Sequence, residues 1–337
     1  MKIGSIELGE TPLFLSPMEE VTYKSFRNIC KRYGADVVCT EFVSSEALIR
    51  DVEKTKQKMR LYPEDRPVAI QVYGSNIDSM VSAAKAAEEF QPDYIDINYG
   101  CPMKKIVNKG GGAGMLQDLD KMQKMTAEIV KAVSLPVTAK TRIGWDQDSI
   151  SIQEVAERLQ DVGIQALAIH GRTRKQLYSG EADWSKIAEV KNNPRINIPI
   201  IGNGDINGAE KAKQCLDESG VDGLMIGRGA IGRPWIFNEI KHYLQTGELL
   251  PPPTVTEIIQ SIREFVQMTL DWKGHERPTI LMMRRHFAKS FPGLQDFRPL
   301  RIKLLQAAEM DAVQQILDEI IEHYGDIRVD YTNVSLK

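Results

Sequence analysis

Residues 94–144 read YIDINYGCPMKKIVNKGGGAGMLQDLDKMQKMTAEIVKAVSLPVTAKTRIG. Tyr94–Cys101 and Val137–Gly144 are short, near-continuous runs of apolar and β-branched residues, the pattern of parallel strands buried on both faces. Between them, Leu119–Val133 repeats its apolar residues at helical spacing. The same unit recurs on either side. Strand-like runs occupy Leu13–Pro17, Val37–Val43, Val68–Gly74, Ala166–Thr173, Pro199–Ile206 and Gly223–Ala230. Amphipathic stretches such as Ser79–Phe90, Ile152–Val162 and Ala209–Ser219 separate them. Eight strand–helix repeats over about 230 residues predict an α/β protein, a (β/α)8 TIM barrel. A doubly wound sheet needs fewer strands. The opening run Lys2–Leu8 predicts a hairpin that plugs the bottom of the barrel.

Of the 337 residues, 42% are hydrophobic and 26% charged, which excludes a disordered chain. No run approaches the ~20 apolar residues of a membrane span, and MKIGSIELGE lacks the order of a signal peptide. The four cysteines (Cys30, Cys39, Cys101 and Cys215) form no CxxC pair. They read as reduced thiols, so a cytoplasmic protein with no metal and no membrane attachment is expected. The formal net charge of −3 hides blocks. Residues 263–303 carry nine basic side chains against four acidic ones, and residues 304–337 swing back to −5. A phosphate backbone feels such a local field, because screening acts over about one Debye length.

Pro251-Pro252-Pro253 stiffens the chain after the barrel. Beyond it the pattern is helical over Val255–Lys273, Thr279–Ser290 and Pro299–Tyr324. The expected organisation is a catalytic barrel at 1–250, a smaller all-helical domain at 254–325 and a tail at 326–337.

Active sites of such barrels lie at the C-terminal ends of the strands. The polar residues there are Ser16, Pro17 and Met18 in sequence with them, Gln71, Asn98, Cys101, Lys140, Arg142, His170, Arg172, Asn203, Asp205, Gly227 and Arg228. Lys140 in mid-strand is costly to bury unpaired, so it either meets an anion or electron-rich ring or snorkels to water. Gly202-Asn-Gly-Asp and Gly227-Arg-Gly-Ala-Ile-Gly end the last two strands, where barrels often bind phosphate; tight turns alone are the other reading. Gly227, Gly229 and Gly232 fit G-x-G-x-x-G, but no βαβ unit follows, so a dinucleotide fold is rejected. Cys101 stands apart from the other cysteines. It ends a strand just before a loop carrying Lys104, Lys105, Lys109 and Gly110–Gly112, a candidate lid.

Taken together, SPM(16–18), TEFVSSEAL(40–48), DINYGCP(96–102), KTRIGW(140–145), HGRTR(170–174), NGDI(203–206) and GRGAIGRPWIF(227–237) resemble the flavin-dependent tRNA-dihydrouridine synthases. The bacterial B-type branch, once named for nitrogen regulation, is the most similar. The resemblance implies bound FMN, reduction by NADPH or NADH and a tRNA partner; separately, a monomer is expected. It implies FMN contacts from Ser16, Pro17, Met18, Gln71, Lys140 and His170, with Asn203, Gly204, Asp205, Gly227 and Arg228 around the ribityl phosphate. Cys101 would be the general acid and Asn98 would hold the uracil. Arg142, Arg172 and Arg174 would meet RNA, as would Arg284, Arg285, Lys289 and Arg298 of the helical domain. For the last four, a solvated helix face is the competing reading. Glu19, Glu20 and Tyr23 depart from the small residues and Thr-Asp usual after SPM. Two other functions share features with this one: an FMN barrel reductase of a free pyrimidine or enone, and a non-catalytic RNA-binding relative.

Overall fold

The computed structural model describes residues 1–50 and 52–331. Eight parallel barrel strands follow one another: β1 (Leu13–Leu15), β2 (Val38–Cys39), β3 (Val68–Tyr73), β4 (Tyr94–Tyr99), β5 (Val137–Arg142), β6 (Leu167–His170), β7 (Ile200–Asn203) and β8 (Gly223–Ile226). They pair in the order β1-β8-β7-β6-β5-β4-β3-β2. A parallel bridge from Phe14 to Val37 closes the ring, and Leu15 N–H donates to the Val37 carbonyl at 2.9 Å. The run expected as one strand over Val37–Val43 is broken: Val43–Ser44 forms a separate piece on β3. Glu41 in the break accepts a hydrogen bond from Glu20 N–H at 2.6 Å, tying this edge to the loop after β1.

Period-2 alternation explains both faces of the ring. Outward residues such as Val68, Ile70, Ile95, Ile97 and Leu167 pack under the surrounding helices. These are α1 (Lys24–Arg32), α2 (Ile77–Glu88), α3 (Leu119–Ala132), α4 (Ile152–Asp161), α5 (Trp184–Lys191), α6 (Ala209–Ser219) and α7 (Ile236–Thr246). Inward residues are apolar at the bottom, where Phe14, Cys39, Ala69, Tyr94, Ala166 and Ile201 form one cluster with Ile3. Ile3 lies in the N-terminal hairpin, Lys2–Ile3 against Ile6–Glu7, which plugs the barrel as expected.

Among the described residues, four helices follow the prolines: α8 (Val255–Lys273), α9 (Glu276–Ser290), α10 (Arg298–Gln306) and α11 (Met310–Tyr324). A capping box between Thr254 and Glu257 starts α8. The single helix expected over Pro299–Tyr324 is two, since Ala307 and Glu309 have extended backbone. The buried face carries the reason. Val313 lies nine positions after Leu304, and at about 100° per residue that places them on opposite sides of one straight helix. Breaking the helix lets both reach the core.

Barrel and helices share one core. Phe26 of α1 stacks on Phe265 at 5.7 Å, Ser25 and Thr269 hydroxyls meet at 2.8 Å, and Gly232 N–H donates to His286 Nδ1 at 3.3 Å. Burial lowers the His286 pKa to about 3, so the ring is a neutral acceptor. In the tail, Val329 and Tyr331 pack back onto the core; residues 332–337 lie outside the described residues.

The loop after β1 is fixed from beneath by a buried ion pair. Arg27 donates from Nε and Nη2 to the two Asp65 carboxylate oxygens at 3.1 and 2.8 Å, and from Nη1 to the Thr22 carbonyl at 2.9 Å. Asp65→Ala leaves a buried guanidinium unpaired and is expected to lower stability by about 3–5 kcal/mol, whereas Arg27→Met with Asp65→Leu should lose far less. Urea unfolding midpoints check this; equal losses in both variants would refute it.

Candidate active site

Strand register turns the upper half of the barrel polar. Gln71 lies opposite Asp96, Asp96 opposite Thr138 and Asn98 opposite Lys140, Arg142 opposite His170, and His170 opposite Asn203. All share the inward parity of the apolar plug below. Of these, Asn98, Lys140, Arg142, His170 and Asn203 line a cavity of about 370 Å³ at the C-terminal mouth of the barrel, together with Ser16, Pro17, Met18 and Cys101 among others.

At its floor, Lys140 Nζ donates to Asn203 Oδ1 at 3.1 Å. Asn203 Nδ2 is itself pinned on the Met225 carbonyl at 2.7 Å. Burial, then the Arg142 guanidinium beside it, lowers the Lys140 pKa to about 8. The same burial and neighbouring cations hold His170 neutral, well below the usual histidine range. This corner is cationic and short of negative charge, so it favours an anionic or electron-rich group in the cavity.

One wall is a bidentate pair. Arg172 Nη1 and Nη2 donate to the Asp205 oxygens at 2.8 and 2.7 Å, and Ala182 N–H adds a third bond at 2.8 Å. Arg228 reaches Asp205 at 3.2 Å and stacks 4.4 Å over the Tyr178 ring. Burial pushes the Asp205 carboxyl up, but the Arg172 bonds, the Ala182 N–H and the charges of Arg172 and Arg228 together outweigh it and the pKa is lowered. Gly204 is the close-approach residue: its φ is +135°, and a Cβ there would sit 2.5 Å from Ala182 Cβ.

Cys101 is held by a relay that begins in the strands. Thr138 Oγ1 donates to Asp96 at 2.5 Å, Gln71 Nε2 to Asp96 at 2.6 Å, and Asn98 Nδ2 to Gln71 Oε1 at 2.8 Å. Asn98 Oδ1 then accepts from Gly100 N–H at 3.0 Å and Cys101 N–H at 2.8 Å. Arg142 Nε clamps the Gly100 carbonyl at 2.8 Å. The thiol sits at the cavity edge, and burial raises its pKa above the ordinary value against the opposing pull of the Met103 N–H and Arg142. A thiol raised in this way is protonated at neutral pH.

Several expected roles shift. Gln71 is fully buried and does not line the cavity; its amide is spent between Asp96 and Asn98. Arg172, 2% exposed, is a wall residue held by Asp205 and by the Ser179 and Gly180 carbonyls, and is corrected as an RNA contact for that reason. Arg142 lines the cavity, but its guanidinium is occupied by the Gly100, Thr173 and Leu177 carbonyls. Arg174 stacks 4.8 Å over Trp145. Arg284 donates inward to the Ala307 carbonyl at 3.2 Å, while Arg285 reaches the cavity itself. Lys289 and Arg298 are exposed. Sequence reading passed over Asp96, whose signal was an acid inside a buried strand, and Tyr178, whose loop position carried none.

If burial holds the thiol protonated, alkylation of Cys101 by iodoacetamide is expected to be slow at pH 7 and to accelerate as pH rises past the ordinary thiol value of about 8.5. Mass spectrometry of the modified peptide across that range checks this; fast modification at pH 6 would show a thiolate instead.

The family profile described as Dihydrouridine synthase (Dus) matches residues 14–324. A "Probable tRNA-dihydrouridine synthase" of Rickettsia bellii is 38% identical, covering 97% of this chain and 98% of that protein. A "tRNA-dihydrouridine synthase B" of Pseudomonas aeruginosa is 40% identical over 88% of this chain and 90% of its own. One from Shewanella oneidensis is 38% identical over 96% and 100%. Among solved structures, 2-naphthoyl-CoA reductase is similar with TM-score 0.55 at 10% identity, covering 72% of this chain and 51% of that chain. Histamine dehydrogenase from Rhizobium sp. 4-9 gives 0.53 at 12%, covering 78% and 50%. At such identities they share the fold alone. Matched from its first barrel strand to its last helix, the chain belongs to the dihydrouridine synthase family.

Proposed function

We propose that this protein is a tRNA-dihydrouridine synthase that reduces the C5–C6 bond of a uridine in tRNA, using bound FMN and NADPH or NADH. The reading rests on one observation: a protonated thiol and a partly buried ammonium open onto the same cavity at the mouth of the barrel.

The residues present suit a flavin. Lys140 and the neutral His170 flank an electron-poor corner, which fits the pyrimidine edge of an isoalloxazine. Ser16, Pro17 and Met18 supply a wall after β1. Gly204, Gly227 and Arg228 suit the phosphate end, where Asp205 acts by fixing Arg228 and Arg172 rather than by facing a phosphate. When bound, the flavin supplies the hydride that reaches uridine C6. Asn98 orients the uracil while its own carbonyl oxygen fixes the Cys101 backbone. Electron density then builds at C5 and O4 of the base, and the Cys101 Sγ proton passes to C5. Burial disfavours the resulting thiolate, so it recovers a proton from solvent. A uridine in folded RNA must leave its stack to reach this depth. Residues 1–250 form the catalytic unit in this reading, and helices 254–325 grip the RNA backbone through side chains such as Arg285, Lys289 and Arg298. A cytoplasmic monomer completes the proposal.

Cys101→Ala is expected to bind flavin, accept electrons from NADPH and bind tRNA, yet to reoxidise against unmodified tRNA about 10²–10⁴ times more slowly. Stopped-flow flavin absorbance measures this, and a wild-type rate would dismiss Cys101 as the acid. A small-molecule reductase would instead reoxidise with free uridine.

The ammonium pKa of about 8 sets a pH window. An electron-rich ring favours the protonated lysine, so flavin affinity of the apoprotein should fall as pH rises through that value. Lys140→Met should bind more weakly and show no such slope. Quenching of flavin fluorescence on titration checks both; a flat wild-type profile places the lysine away from the ring.

A further inference from the structure

Beside the first cavity lies a second of about 370 Å³, between the loop after β1, the Gln57–Tyr62 segment and helices α8 and α9. We propose that it holds a second, unstacked nucleotide of the same tRNA, adjacent in the strand to the uridine being reduced. The inference rests on the tRNA reading above.

Continuity comes first. Glu19 and Arg285 line both cavities, so the two mouths are one side chain apart. Arg285 is tethered there by Glu20, with Nη2 to Oε2 at 3.3 Å and Nη1 to the Glu20 carbonyl at 3.1 Å. A phosphate linking two nucleotides would pass this guanidinium and compete with Glu20 for it.

The walls have the chemistry of a base and its phosphate. Tyr62 and Trp272 are half-buried rings, each with a cation on its face: Lys24 Nζ is 3.6 Å from the Tyr62 centroid, and Lys273 Nζ is 3.8 Å from that of Trp272. A base of any sequence can stack on such a face in place of its lysine, and the displaced ammonium then meets the backbone phosphate. Six cationic side chains in these walls stand against three acidic ones.

An independent sign is Tyr23. Its hydroxyl is buried without a hydrogen-bond partner, although the residue lines this cavity. The ring stacks parallel to Trp272, 5.8 Å between centroids and 8° apart. Besides Cys30, the charges acting on the hydroxyl are Arg285 and Glu41, both in the same walls. Buried hydroxyls are normally satisfied; a base carbonyl or a ribose 2′-OH entering as Arg285 swings to phosphate supplies the missing partner.

The test is steady-state kinetics of the flavin-loaded protein with an unmodified tRNA transcript. Stacking on one aromatic is worth about 1–3 kcal/mol, so Trp272→Leu and Tyr62→Leu should each raise KM for tRNA by roughly 5–150-fold, more than either lowers kcat. Trp272→Phe keeps a stacking face and should recover most of the loss. Tyr23→Phe should raise KM by a few-fold without lowering the melting temperature, which guards against a folding artefact. Unchanged KM in all four variants overturns the proposal. Slower reduction by NADPH with KM for tRNA unaltered also overturns it, by assigning the cavity to the dinucleotide. If the wild-type protein forms no dihydrouridine on tRNA, the underlying function fails instead, and that outcome is read separately.

Discussion

Placing the Lys140 ammonium and the Arg142 guanidinium two residues apart on the inward face of one strand is the constraint around which the barrel mouth is organised. Neither charge is easily buried, and each makes the other harder to bury. The protein answers with dipoles rather than with matched ions. Asn203 accepts from the lysine. Three backbone carbonyls take the Arg142 guanidinium. Asp205 is spent on Arg172 and Arg228. A net positive field is left at the cavity floor, which together with burial, the larger cause, keeps His170 neutral and favours whatever electron-rich group the cavity receives.

The Cys101 corner depends on a different principle: burial disfavours the thiolate and keeps the thiol protonated. Position matters more than pKa. The relay from Asp96 through Gln71 and Asn98 transfers the rigidity of two strands to a loop residue, and Arg142 closes it from the other side. Asp96 is raised in pKa by burial, opposed by its bonds from Thr138 and Gln71; it is the anchor of this chain of contacts.

Between the barrel and the C-terminal helices the core is continuous. Aromatic stacking of Tyr23, Phe26, Phe265 and Trp272 and the His286 contact to Gly232 bind α8 and α9 to the mouth of the barrel. The helices therefore present their side chains, Arg285 above all, at a fixed place beside the site.

The order of strands and helices, the plug, the strand-end polar residues and Cys101 were legible in the sequence, because alternation at period 2 and apolar runs are local properties of a chain. So was the inward parity of Asn98, Lys140 and Asn203, once the strands were recognised. The break after Gln306 was also present in the spacing of Leu304 and Val313, but only a fold with a core on both sides gives that spacing meaning. Tertiary structure alone decided which polar groups are free. Gln71 and Arg172 look like ligand contacts in a linear reading, yet their partners, Asp96 and Asp205, lie 25 and 33 residues away. Hydrogen bonds between strands depend on register, and register is set by packing across the whole barrel rather than by any one segment.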